Sequence, residues 1–185
     1  MTEIEIKGAG FNSLLETIAN HRSGAFLDGM VARLPDDELR ARLRTKSILP
    51  SQWLPVAWYR SALRGALEAG LTTTELEAIS RDSAVRDVTG LYRVVFSMLS
   101  AELLSRQAPR LLGYFYRGGV VRPVEVKPGY ARAEYEGWHG FDELMWTDYL
   151  NGTAAVFELT GAKSFTSVVV AGGRGPTMTA IATWT

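Results

Sequence analysis

The chain has 185 residues, 46% hydrophobic and 22% charged, which suits a single globular domain (1–185) with a real core. Lys+Arg and Asp+Glu stand at 20 each, so no net field draws the protein to nucleic acid or to an anionic membrane. Cysteine is absent, which excludes disulfides, thiolate metal sites, iron–sulfur clusters and cysteine nucleophiles. The opening MTEIEIKGAG lacks a basic start followed by an apolar run, and no stretch reaches the ~20 apolar residues of a membrane span. A cytoplasmic location is expected.

Ile4 and Ile6 alternate with acids, as in a short strand with one buried face. Phe11, Leu14, Leu15 and Ile18 then follow at helical spacing, ending near Gly24. A second helix is predicted from Pro35, with Asp36, Asp37 and Glu38 favouring its N-terminal dipole. Pro55 suits the first position of the next helix, whose inner face carries Val56, Tyr59, Leu63, Ala66 and Leu67 and which stops at Gly70. Thr72 with Glu75, or Thr74 with Glu77, can form the capping box of the helix after it. The longest periodic segment runs from Ser83 to about Gln107, with Val85, Val88, Tyr92, Val95, Phe96, Leu99 and Leu103 on one stripe. Pro109 is read as the start of a further short helix carrying Leu111, Leu112, Phe115 and Tyr116, closed by Gly118 and Gly119.

Beyond Gly119 the period changes to two. Val124 and Val126 alternate with Glu125 and Lys127, and Ala131, Ala133 and Tyr135 with Arg132, Glu134 and Glu136, around a KPGY type II turn. Phe141, Met145, Tyr149, Gly152, Val156 and Leu159 mark a helix ended by Gly161, and SFTSVVVAGGRGPTMTAIATWT closes the chain as a second hairpin. The fold class expected is α+β, a helical N-terminal part packed on an antiparallel sheet made of two hairpins separated by a helix.

Leu34–Pro35, PSQWLPVAWY (Pro50 to Tyr59), PRLLGYFYRGG (Pro109 to Gly119) and the late helix YLNGTAAVFELTGAKSFTSVVV carry a resemblance spanning most of the chain. In these marks it resembles the ligand-binding superfamily of haem nitric-oxide sensors, vinyl-reductase-like domains and transport-particle subunits. Within that group it is similar to a myxobacterial family of about this length, a likeness that brings no activity with it. The haem sensors share a Tyr-x-Ser-x-Arg motif on late strands and a proximal histidine on a helix. Here the nearest string is YRSALR, Tyr59 to Arg64, with the arginine one residue late and in an early helix. The cysteines that carry an acyl chain or metal in other relatives are missing.

Only two histidines occur. His21 falls at a helix end, where a cation suits the carbonyl dipole; His139 sits in GWHGF, beside clustered aromatics, and reads as local hydrogen bonding. No G-x-S-x-G elbow is present, and AGGRGP joins two strands rather than a strand to a helix, so it is a hairpin loop and not a phosphate cradle. Asp142 and Glu143 read as helix-start acids, with Asp148 following in the same helix. No catalytic constellation, metal site or cofactor is expected. The aromatics remain, and they support two readings. One is a non-catalytic regulatory or sensory module binding a small hydrophobic ligand in a helix–sheet pocket walled by Trp58, Tyr92, Phe96, Tyr116, Ala133, Tyr135 and Trp138. The other is a protein-interaction scaffold with a filled core, homodimeric or heteromeric. A homodimer through helices is expected in either case, because Gly65 and Gly90 permit close approach.

Overall fold

The structure, a computed structural model, describes residues 3–88 and 99–185. Strand β1 (Glu5–Lys7) buries Ile6, next to buried Ile4, as the alternation requires. It pairs antiparallel with β2 (Trp53–Pro55) on one side and β3 (Tyr116–Arg117) on the other, with Ile6 opposite both Leu54 and Tyr116. Two of these strands escape sequence reading because two or three residues show no period. Helix α1 (Gly8–His21) buries Phe11, Leu14 and Ile18. Helix α2 (Gly24–Arg33) is unforeseen: it buries only Met30 and Val31, too little to make a stripe, and is started by Ser23, whose hydroxyl accepts from the Phe26 N–H at 3.1 Å.

Helix α3 (Asp37–Arg44) starts two residues beyond Pro35, with Asp36 as its cap accepting from the Leu39 N–H at 2.8 Å. Helix α4 (Val56–Glu68) presents Val56, Tyr59, Leu63 and Ala66 to the core, and Pro55 ends β2 instead of opening the helix. Gly65 of α4 packs within the chain, since a methyl group there would come within 2.7 Å of Leu34. Helix α5 (Thr73–Val88) uses the earlier of the two capping boxes: the Thr72 hydroxyl accepts from the Glu75 N–H at 3.2 Å and the Glu75 carboxylate from the Thr72 N–H at 2.9 Å.

A single helix from Ser83 to Gln107 is not found. Its early part belongs to α5, and Ser100 caps a new helix, α6 (Ala101–Leu112), by accepting from the Leu103 N–H at 3.2 Å. Tyr92, Val95, Phe96 and Gly90 lie outside the described residues. Pro109 lies inside α6 rather than at a start. Its lost backbone bond is outweighed by a helix that is capped at Ser100 and anchored by buried Ala101 and Leu104.

Strands β4 (Val120–Lys127), β5 (Tyr130–Glu136), β6 (Thr166–Gly172) and β7 (Met178–Thr183) form a four-stranded antiparallel sheet ordered β4-β5-β7-β6. Helix α7 (Glu143–Glu158) connects its two hairpins, capped by Asp142, which accepts from the Met145 N–H at 3.1 Å. The α+β architecture is therefore the one expected. Gly129 supplies the positive φ (72°) that a type II turn demands. Val124 does not join the inner face of the hairpin: Pro123 has no N–H for the ladder, the register slips between Pro123 and Glu125, and Val124 is left 53% exposed. Val121, 6% exposed, takes the core place. The apolar interior forms two clusters, a large one between helices and sheets and a smaller one around Val88, Ala101, Leu104, Phe157 and Trp184.

Candidate functional site

Among the described residues, three of the aromatics expected to wall a pocket, Tyr116, Tyr135 and Trp138, pack together through Trp138. Trp138 stands edge-on to Phe141 at 5.0 Å between centroids and to Tyr116 at 5.4 Å, and Trp146 lies 5.4 Å from Tyr135. The polar tips of Trp138, Trp146, Tyr135 and Tyr149 are satisfied within the protein. Trp138 Nε1 donates to the Val120 carbonyl at 3.0 Å, and the Tyr135 and Tyr149 hydroxyls are 3.1 Å apart. Ala133 is half-buried against the same cluster. Trp58 stands elsewhere, donating through Nε1 to the Asp36 carboxylate at 3.0 Å with the Arg42 guanidinium over its ring, and so ties α4 to the start of α3. Of the residues singled out, the structure brings Tyr116, Tyr135 and Trp138 together. Tyr92 and Phe96 lie outside the described residues.

Open space lies beside this cluster. Where the two apolar clusters meet, β1, β3, α1, α4, α5, α6 and α7 line a partly open cavity of about 160 Å³. Ile6, Val88, Leu104, Leu111, Val156 and Phe157 give it apolar walls, and Tyr59, Tyr116 and Tyr149 line it as well. Gly152 keeps α7 close to α5 there, since a methyl group on it would sit 3.0 Å from Ala84. A second recess of about 300 Å³ adjoins through Leu112 and Tyr116 and is lined by Gly118, Gly119 and Trp138. Tyr116 therefore faces both.

Two carboxyl groups break the apolar lining. Asp148 is buried; its Oδ1 accepts from the Ser80 hydroxyl at 2.6 Å and its Oδ2 from the Tyr59 hydroxyl at 3.2 Å. Asp87 accepts from the Ser13 hydroxyl through Oδ1. Burial pushes each carboxyl up to about 6, against the pull of those hydroxyl donors. Burial, joined by the charge of Asp148, also raises Tyr59 and Tyr116 well above the ordinary phenol value. Among the described residues, no lysine, arginine or histidine lines the cavity. The arrangement offers charge and hydrogen-bond acceptors to a guest.

Sequence reasoning did not single out Asp87 or Ser80, and noted Asp148 only as an acid farther along the helix that Asp142 and Glu143 start. A signal is present: Ser80, Ser83 and Asp87 follow Leu76 at spacings of three and four, and Asp148 falls in phase with Met145 and Gly152. A polar residue on an apolar stripe is a buried polar residue, and burial is what makes it chemically notable.

The resemblance to haem sensors makes haem the first guest to test, and these residues do not fit it. The cavity is smaller than the ~300–1,000 Å³ of ordinary ligand pockets. His21 is the last residue of α1 and bonds through Nε2 to Asp82 at 2.7 Å; His139 sits in the turn before α7, its carbonyl accepting from the Ile4 N–H. Neither lines the cavity. The tyrosines that do are held protonated by burial, which disfavours iron ligation. Arg60 and Arg64, the arginines of YRSALR, bond to the Gly140 carbonyl and the Asp142 carboxylate. The purified protein titrated with haemin should develop no stoichiometric Soret band; a band at one equivalent that vanishes in His139→Ala would refute this.

No family model and no curated protein matches the chain. Solved structures do. The Fe(II) unliganded H-NOX protein from K. algicida superposes with a TM-score of 0.69 at 12% identity, covering 97% of each chain. A point variant of that protein reaches 0.73 at 10% identity, again over 97% of each chain. The H-NOX from Shewanella woodyi, in its Fe(II)CO ligation state, gives 0.65 at 14% identity over 95% of this chain and 93% of that one. What is shared at this identity is the fold: the chain has an H-NOX-like fold.

Proposed function

We propose that this protein is a non-catalytic regulatory or sensory module that binds a small hydrophobic ligand in the cavity between its helices and sheets. The observation that carries the reading is the cavity itself, an apolar space at the junction of two core clusters with a few convergent polar groups. Similar solved structures are named for iron and gas ligation, and the space of about 160 Å³ in this chain suits a small guest.

Toluene is a suitable probe. It should raise the unfolding temperature of the wild type with the concentration dependence of a single site. Ala108→Phe, which adds a ring at a half-buried wall position, should abolish that rise without unfolding the protein. Saturating toluene that leaves the wild-type transition unmoved would remove the ligand-binding reading. The scaffold reading would then stand on β6, an edge strand on which Val168 is 59% and Val170 50% exposed, a surface on which a second copy of the chain could pair. Gly65 is engaged inside the chain and does not serve such a contact.

A further inference from the structure

We propose that the cavity selects a small apolar cation, an aryl- or alkylammonium, whose positive end is received by Asp87 with Asp148 behind it. The inference rests on the ligand-binding reading and adds the charge class of the ligand.

The two carboxylates are not equivalent. Both oxygens of Asp148 are occupied by the Ser80 and Tyr59 hydroxyls. Asp87 uses only Oδ1, toward Ser13, and among the described residues nothing donates to its Oδ2. That oxygen borders Gly10 of α1, where an added methyl group would stand 3.3 Å from it. The missing side chain at Gly10 thus leaves this oxygen uncovered on the Gly10 side, and both residues line the cavity. The neighbouring Arg86 is bonded to Glu16 at 2.9 Å and is not among the cavity walls.

The surroundings decide the sign of the guest. At Asp87 burial outweighs the charge of the neighbouring Arg86, and an entering ammonium relieves that cost by forming a charge-assisted hydrogen bond. An anion of the same size would meet two acids, and among the described residues the cavity wall holds no cation. The rings of Tyr59, Phe115, Tyr116 and Tyr149 line the same space and favour a cation further. Size limits the apolar part: an apolar cavity of ~150 Å³ accepts benzene, so about 160 Å³ holds one six-membered ring with a short arm.

The test is a charge series of nearly constant shape, benzylamine, toluene and benzoate, titrated calorimetrically into the wild type and Asp87→Asn. Benzylamine should bind the wild type at least about tenfold more tightly than toluene, and benzoate should not bind. Asp87→Asn should bring benzylamine down to the toluene level while toluene binds as before, which also reports that the variant is folded. Toluene or benzoate binding the wild type as tightly as benzylamine would overturn the charge preference and leave the pocket standing, as would an Asp87→Asn that loses nothing. If none of the three binds the wild type, the ligand-binding reading itself falls and this inference with it. Should Asp87→Asn fail to fold, the wild-type series decides alone.

Discussion

Replacing Trp138 with alanine should lower the free energy of unfolding by about 3–5 kcal/mol. The residue is 2% exposed and lies in contact with five other rings, those of Tyr116, Tyr135, Phe141, Trp146 and Tyr149. Removing it leaves a void that such a dense cluster cannot close, and strips the Val120 carbonyl of its indole donor at 3.0 Å. Trp138→Phe separates the two losses, because it keeps an aromatic ring and loses the hydrogen bond, worth about 1 kcal/mol. Urea unfolding of the three proteins measures this, with the midpoint moving and the slope unchanged. A loss under about 1 kcal/mol for the alanine variant would mean that the ring cluster is not the packed centre of the fold.

Wild-type stability should fall as the pH rises from about 4 to about 6, as far as Asp148 is concerned. Burial raises its carboxyl from 3.8 to about 6 in the folded protein. Within that window the native state keeps a proton that the unfolded chain has released, so unfolding is favoured as the pH increases, and the effect levels off above about 6. The full difference is about 3 kcal/mol. Asp87, raised to about 6 chiefly by burial, acts in the same direction. Asp36 and Glu75 are lowered by hydrogen bonds to helix-start N–H groups and act oppositely, their stabilisation being lost in acid.

Comparison with Asp148→Asn cancels those other groups and isolates the buried carboxyl. The amide retains the shape and an acceptor oxygen for Ser80 or Tyr59. The stability of the variant relative to wild type should therefore climb by about 2 kcal/mol between pH 4 and pH 7. Urea unfolding at each pH supplies the numbers. A difference that stays constant across this range would show that Asp148 ionises in the native state as it does in the unfolded chain.

The period-two segments and the helical stripes are legible in the sequence because each reports a local geometry with one buried face. Ile4 and Ile6, the Phe11–Ile18 stripe, Asp142 as a helix cap and Ala131, Ala133 and Tyr135 on one hairpin face are all of this kind. Where reading failed, a non-local cause was at work. The β1–β2 and β1–β3 pairings join residues far apart in the chain through strands too short to show a period. Pro109 looks like a helix start by local rules, yet the helix is set by the cap at Ser100 and by the burial of Ala101 and Leu104. Val124 alternates correctly by position and still faces outward, because Pro123 breaks the ladder next to it.

Composition by itself excluded thiolate chemistry and a net charge for nucleic acid, and periodicity by itself determined an α+β chain with two late hairpins. Packing alone decided which aromatics fill the core and which face open space. Tyr135 packs on Trp138 at 6.1 Å and lines neither space, Trp138 borders the second recess, and Tyr116 faces both. Tertiary structure also decided the chemistry of the cavity. Asp87 and Asp148 are ordinary acids in a helical pattern until α1, α4, α5 and α7 converge and remove water from around them. Desolvation depends on what surrounds a group from every side, and neighbours in the chain supply only part of those surroundings.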